Sequence, residues 1–222
     1  MTDTLAKTPA RAADTMTDAV SYLALGDSYT IGEAVAGDGR WPVQLARALQ
    51  ADGIAMDAPA IIAATGWTTD ELSAAIDAAQ PHAGFGLVSL LIGVNNQYRG
   101  RPLDEYRSQF RALLERAIGF AGGRAGRVLV LSIPDWGVTP FAAASGRDRA
   151  AIAHELDGYN AAARALCADR GVAFVDITAA SRERGAEPAM LADDGVHPSA
   201  AMYAQWTRLA LPVARRLLSA DE

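Results

Sequence analysis

Apolar residues in this chain fall into short continuous runs separated by longer stretches with helical spacing. Ser21–Leu25 is a β-prone run that stops abruptly at Gly26-Asp27-Ser28. A glycine-containing loop, residues 31–40, leads to a helix over 41–52, where Trp41, Leu45 and Leu49 recur at helical spacing, Pro42 suits the first turn and Gly53 ends it. Residues 56–64 contain Ile61-Ile62, a short strand ending at Thr65-Gly66-Trp67. Thr68 or Thr69 then caps a helix through Ala79, closed by Pro81.

Phe85–Ile92 is apolar throughout, as in a central parallel strand covered on both faces, and it ends at Gly93-Val94-Asn95-Asn96. The helix expected over 103–121 carries Leu103, Tyr106, Phe110, Leu113, Leu114 and Ala117 on one face. Arg127–Ile133 is another buried strand, followed by a loop over 134–146. A long helix over 147–169 turns Ile152, Leu156, Tyr159, Ala163 and Leu166 inward. Val172–Asp176 is the last strand. After Asp193-Asp194-Gly195-Val196-His197-Pro198, a final helix starts near Ser199, bent or broken near Pro212.

Strands alternating with helices in this rhythm predict an α/β domain with a mainly parallel sheet and right-handed crossovers. Ligands of such sheets bind beyond the carboxyl ends of the strands. Ser28, Gly66, Asn95 and Asp135 each follow such an end.

The bulk numbers narrow the chemistry. The 222 residues, 50% hydrophobic and 21% charged, suit one domain over 21–222, with a flexible N-terminal arm over 1–20. A net charge of −6 with interspersed signs argues against a nucleic-acid partner. One cysteine excludes an internal disulfide, and three histidines without an HExxH motif leave no expected metal site. Residues 1–20 lack the apolar core of a secretory signal, and no apolar run reaches a membrane-spanning length. The expectation is therefore a cytoplasmic protein without membrane insertion.

A serine hydroxyl needs a base to remove its proton during attack, most often a histidine oriented by a carboxylate. His82 falls in a loop at the opposite end of the strands, and His154 lies off the apolar stripe of its helix. His197 is left, with Asp194 three residues before it able to bend back in a turn; Asp193 is the weaker orienter. The developing oxyanion also needs donors. The Ser28 N–H at a helix start, the Gly66 N–H and the Asn95 side chain are candidates. Trp67, Trp136 and Phe141 are candidates for a substrate pocket, and read equally as loop anchors.

Leu25-Gly26-Asp27-Ser28-Tyr29, Gly66, Gly93-Val94-Asn95-Asn96 and Asp194-Gly195-Val196-His197-Pro198 occur in the order that resembles the SGNH hydrolases, or GDSL-type esterases and lipases. The resemblance implies Ser28 as nucleophile, His197 as general base and acid, Asp194 as its orienter, and an oxyanion hole of Ser28, Gly66 and Asn95. It also implies a flavodoxin-like three-layer α/β/α sandwich around a five-stranded parallel sheet, no metal or organic cofactor, and a small-molecule ester as substrate. The expected esters are short-chain or soluble. Lysophospholipids, thioesters and acyl transfer to another alcohol stay open. Asn96 stands where the family commonly has an acid, which is expected to weaken local hydrogen-bond support. A reading of another kind is a flavodoxin-like module whose Gly26–Thr30 turn cradles a phosphate; it leaves Asp194 and His197 coincidental.

Overall fold

A computed structural model of the protein describes residues 19–219. The expected N-terminal arm lies outside them except for its last two residues. Of these, Val20 is part of the fold: it bridges to Met56 in parallel, with its N–H on the Ala55 carbonyl.

Among the described residues, five strands form one sheet: β1 (Tyr22–Gly26), β2 (Ala60–Ala63), β3 (Leu87–Leu91), β4 (Val128–Leu131) and β5 (Ala173–Val175). Every pairing is parallel, in the order β2-β1-β3-β4-β5. In β1, β3 and β4 every residue is buried, which is why these strands read as unbroken apolar runs. β2 lies at an edge and is only partly covered. The chain leaves β1 toward one edge and returns past it toward the other, so the carboxyl ends of β1 and β3 flank the point where the order reverses. That is where an open parallel sheet has its crevice.

The helices are α1 (Ser28–Ile31), α2 (Trp41–Ala51), α3 (Thr69–Ala79), α4 (Val94–Tyr98), α5 (Leu103–Phe120), α6 (Pro140–Ser145), α7 (Arg149–Asp169), α8 (Thr178–Arg184) and α9 (Ala200–Ser219). α2 packs on α9 over one face of the sheet; α3, α5 and α7 pack in sequence over the other. This is the expected three-layer α/β/α arrangement. The stripes foreseen on α5 and α7 are buried, apart from Leu103, which is half-buried. Each large apolar side chain buried this way contributes about 1.5–3 kcal/mol.

Three differences from the sequence expectations have local causes. The loop expected over 134–146 contains α6, whose Thr139 accepts the Ala142 N–H ahead of Pro140 in the first turn. The one-turn α4 and the two-turn α8 are too short for an apolar period to register. Finally, α9 runs unbroken through Pro212. Pro212 sits on the exposed face, as does Arg208, so the carbonyl that loses its intrahelical partner faces water. Among the described residues, no helix is long and apolar enough to cross a membrane.

Candidate active site

The nucleophile candidate sits on a turn that the sequence makes very tight. A Cβ on Gly26 would collide with Thr30 and with the Leu91 carbonyl of the neighbouring strand, so only glycine lets β1 turn here. Asp27 caps α1, its Oδ1 accepting the Tyr29 N–H at 3.0 Å. Ser28 follows as the first helical residue and is almost fully buried. α1 lasts a single turn and ends at Gly32 in the left-handed region. The dipole expected to favour negative charge at Ser28 is thus that of one turn.

Asp27 is fully buried, and its Oδ2 has no hydrogen-bond partner among the described residues. Burial pushes its carboxyl up to about 7; the backbone N–H groups of Tyr29 and Gly93 offset this only in part. Tyr29 is pushed upward too, by burial first and by Asp27, Asp135 and Asp194 after it, so the phenol stays neutral.

His197 and Asp194 meet as the sequence suggested. His197 Nδ1 and Asp194 Oδ2 are 2.6 Å apart, while Asp194 Oδ1 accepts the N–H groups of Val196 at 3.0 Å and His197 at 2.9 Å. Burial acts to raise the Asp194 carboxyl, but these hydrogen bonds and the His197 ring outweigh it and hold it below the ordinary carboxylate range. The loop is closed around the pair: Ala192 donates to the His197 carbonyl, and Leu191 bridges Pro198. Tyr29 meets the imidazole edge-on at 5.9 Å between ring centres. Asp193 takes no part in this pair, and His82 and His154 are exposed, as expected.

Ser28, Gly66, Asn95 and His197 line one cleft of about 300 Å³ at the carboxyl edge of the sheet. No hydrogen bond joins Ser28 Oγ to His197; such bonds commonly tighten only when substrate is bound. The backbone N–H groups of Ser28 and Gly66 have no partner among the described residues. Gly66 lies at φ +85°, where a side chain would be strained. Asn95 Nδ2 donates to the Trp67 carbonyl at 2.9 Å, leaving its second amide hydrogen for the cleft.

The aromatic residues divide. Trp136 and Phe141 line the cleft, joined by Tyr98, which the sequence reading missed. Trp67 does not: its ring packs on the core while its carbonyl holds Asn95. Tyr98 lies three residues after Asn95 on α4, so recognising that short helix would have pointed to it. Asp135 also turns away from the cleft. It is buried and engaged by Arg182 Nε at 2.8 Å and the Gly137 N–H at 2.8 Å, a structural ion pair.

Asn96 makes hydrogen bonds of its own at this position. Fully buried, it accepts the Thr69 N–H at 3.1 Å and donates to Thr69 Oγ1 at 2.7 Å, tying α4 to the start of α3. The amide both accepts and donates where an acid would only accept. A wider depression of about 890 Å³ lies between α7 and α8, but paired charges such as Arg164 with Asp176 line it, and none of the candidate site residues does. Among the described residues, no cluster of histidine, cysteine and acidic side chains is placed to hold a metal ion.

Known proteins share this fold. A family model described as GDSL-like Lipase/Acylhydrolase family matches residues 24–205. No curated protein matches the chain. Among solved structures, the chain is similar to TesA at 18% identity, covering 89% of this chain and 99% of that one, with a TM-score of 0.69. It is similar to Axe2, an acetylxylan esterase from Geobacillus stearothermophilus, at 22% identity, covering 87% and 93%, with a TM-score of 0.65. A third likeness is to the psychrotrophic esterase EstA from Pseudoalteromonas sp., at 15% identity, covering 90% and 95%, with a TM-score of 0.61. At these identities the structural likenesses carry the fold.

Proposed function

We infer that this chain, which belongs to the GDSL-like lipase/acylhydrolase family of ester hydrolases, is a serine esterase acting on short-chain or soluble carboxylic esters. The observation that carries the reading is the convergence of Ser28, the Asp194–His197 pair, Gly66 and Asn95 on one cleft, from four separate places in the sequence.

In this mechanism His197 Nε2 takes the Ser28 Oγ proton as Oγ attacks the ester carbonyl carbon. Asp194 holds the Nδ1 side and stabilises the imidazolium that forms. The carbonyl oxygen, now an anion, faces the unpaired N–H groups of Ser28 and Gly66 and the free Asn95 amide hydrogen. Donors already in place cost no reorganisation, and losing one costs about 10²–10³-fold in rate. Collapse of the intermediate breaks the C–O bond, and His197 gives its proton to the departing alcohol. Water then attacks the acyl-Ser28, its proton passing to His197 and back to Oγ.

A cleft of about 300 Å³ walled by Tyr98, Trp136 and Phe141 supports a small acyl or alcohol group. Two of the similar structures are named as esterases, one of them an acetylxylan esterase, which is in keeping with small acyl groups. The test is a panel of nitrophenyl esters of increasing acyl length, run beside Ser28→Ala. Wild-type turnover that falls with chain length, and is lost in S28A, is the expected result. Comparable hydrolysis by S28A overturns the assignment. Added alcohols in the same assay separate hydrolysis from acyl transfer by the product formed.

A further inference from the structure

We propose that Arg99 is a positioning residue for the oxyanion hole, clamping the Gly66 turn against α4 and keeping a positive charge beside it; the proposal rests on the esterase reading above. Arg99 Nη2 donates to the Gly66 carbonyl at 2.6 Å. One residue on, the Trp67 carbonyl accepts from Asn95 Nδ2. Two successive carbonyls of the turn are therefore held by the two ends of one short helix, because Arg99 caps α4 and its N–H returns to the Asn95 carbonyl at 3.0 Å. One of the proposed donors and the turn carrying another thus move as a unit.

The rest of the turn is braced as well. Arg99 Nη1 pairs with Glu71 Oε1 at 3.1 Å, and Glu71 Oε2 accepts the Thr68 N–H at 2.8 Å, closing the capping box of α3. On the other side Thr65 donates to the Glu33 carboxylate. The planar guanidinium fork serves two acceptors at once, the Gly66 carbonyl and Glu71, which an ammonium does less well. Its place is also specific: a Cβ on Gly66 would lie 3.8 Å from Arg99 Nη2. The cation therefore stands beside the turn that carries a proposed donor, at the exposed rim of the cleft, where its positive charge favours the developing oxyanion over the neutral ester.

The test compares Arg99→Gln, Arg99→Lys, Glu71→Gln and Arg107→Gln with wild type on the best ester of the panel, with kcat, KM and Tm measured for each. Among the described residues Arg107 pairs only with Asp104, on exposed α5 surface, and it controls for loss of one positive charge. The expected result is that R99Q lowers kcat about tenfold with KM within about twofold, less than the ~10²–10³ of losing a donor outright. R99K, which keeps the charge and can still donate to the Gly66 carbonyl, recovers most of that loss. R107Q keeps wild-type kcat. E71Q, which removes the ion pair and leaves the Gly66 bond, lowers kcat by less than R99Q does, and R99K carries the test if R99Q does not fold. Wild-type kcat in R99Q, a loss carried by KM, no recovery in R99K, or an equal fall in E71Q each overturns the proposal. Retained activity in S28A would instead remove the reading beneath it, whereas an inactive S28A beside an unaffected R99Q removes this inference alone.

Discussion

Asp194 and His197 are joined twice over: ring nitrogen to carboxylate at 2.6 Å, and backbone N–H to the other carboxylate oxygen at 2.9 Å. The second bond sets where the first can form. With Oδ1 occupied by the Val196 and His197 N–H groups, Oδ2 faces the ring, which fixes the tautomer that leaves Nε2 free toward the cleft.

An amide at position 194 cannot accept on both sides, because one of its two ends donates. Asp194→Asn is therefore expected to lower kcat by roughly 10³–10⁴-fold with little change in KM. Because the Asp194 carboxyl is held below its ordinary value, its contribution to stability is present above the unfolded pKa and is lost as pH falls through the folded one. The Tm values of wild type and D194N should converge as the pH is lowered past about 4. A difference that stays constant as the pH falls further below that value would show that the charge is not what stabilises the loop.

Asp27 has the opposite sign. Its folded carboxyl is raised to about 7, so the stability it contributes is fully present below the unfolded carboxylate range and is lost as pH rises through the folded value. Asp27→Asn keeps the shape and the helix cap but does not titrate. The expected outcome is a Tm for D27N that exceeds wild type at pH 8, by a margin that shrinks toward pH 5. Thermal melts across that range decide it, and parallel curves would refute it.

Asn96→Ala strands the Thr69 N–H in a buried site, while the Thr69 hydroxyl keeps Gln109 as its acceptor. An unsatisfied buried group costs about 1–3 kcal/mol, so N96A should lose about 2 kcal/mol, read as a lower midpoint in urea at an unchanged slope. A midpoint equal to wild type would mean that the link between α3 and α4 carries no stability.

Local pattern decided much of this protein. Buried parallel strands must be apolar on both faces, so β1, β3 and β4 stood out as unbroken runs, and Ser28, Asn95 and Asp135 were placed just beyond their ends. Asp194 and His197 were legible because they sit three residues apart in one turn. Tertiary structure alone decided which strand-end residues reach the cleft. Asp135 turns under it to Arg182, Trp67 lends only its carbonyl, and Tyr98 enters from a helix too short to leave a period. It alone set Arg99 against Gly66 and Asn96 against Thr69 as well. Hydrophobic periodicity records which face of an element is covered, and it does so over a few residues. Contacts between side chains on different elements depend on strand order and on how each turn leaves the sheet, and no local period encodes either.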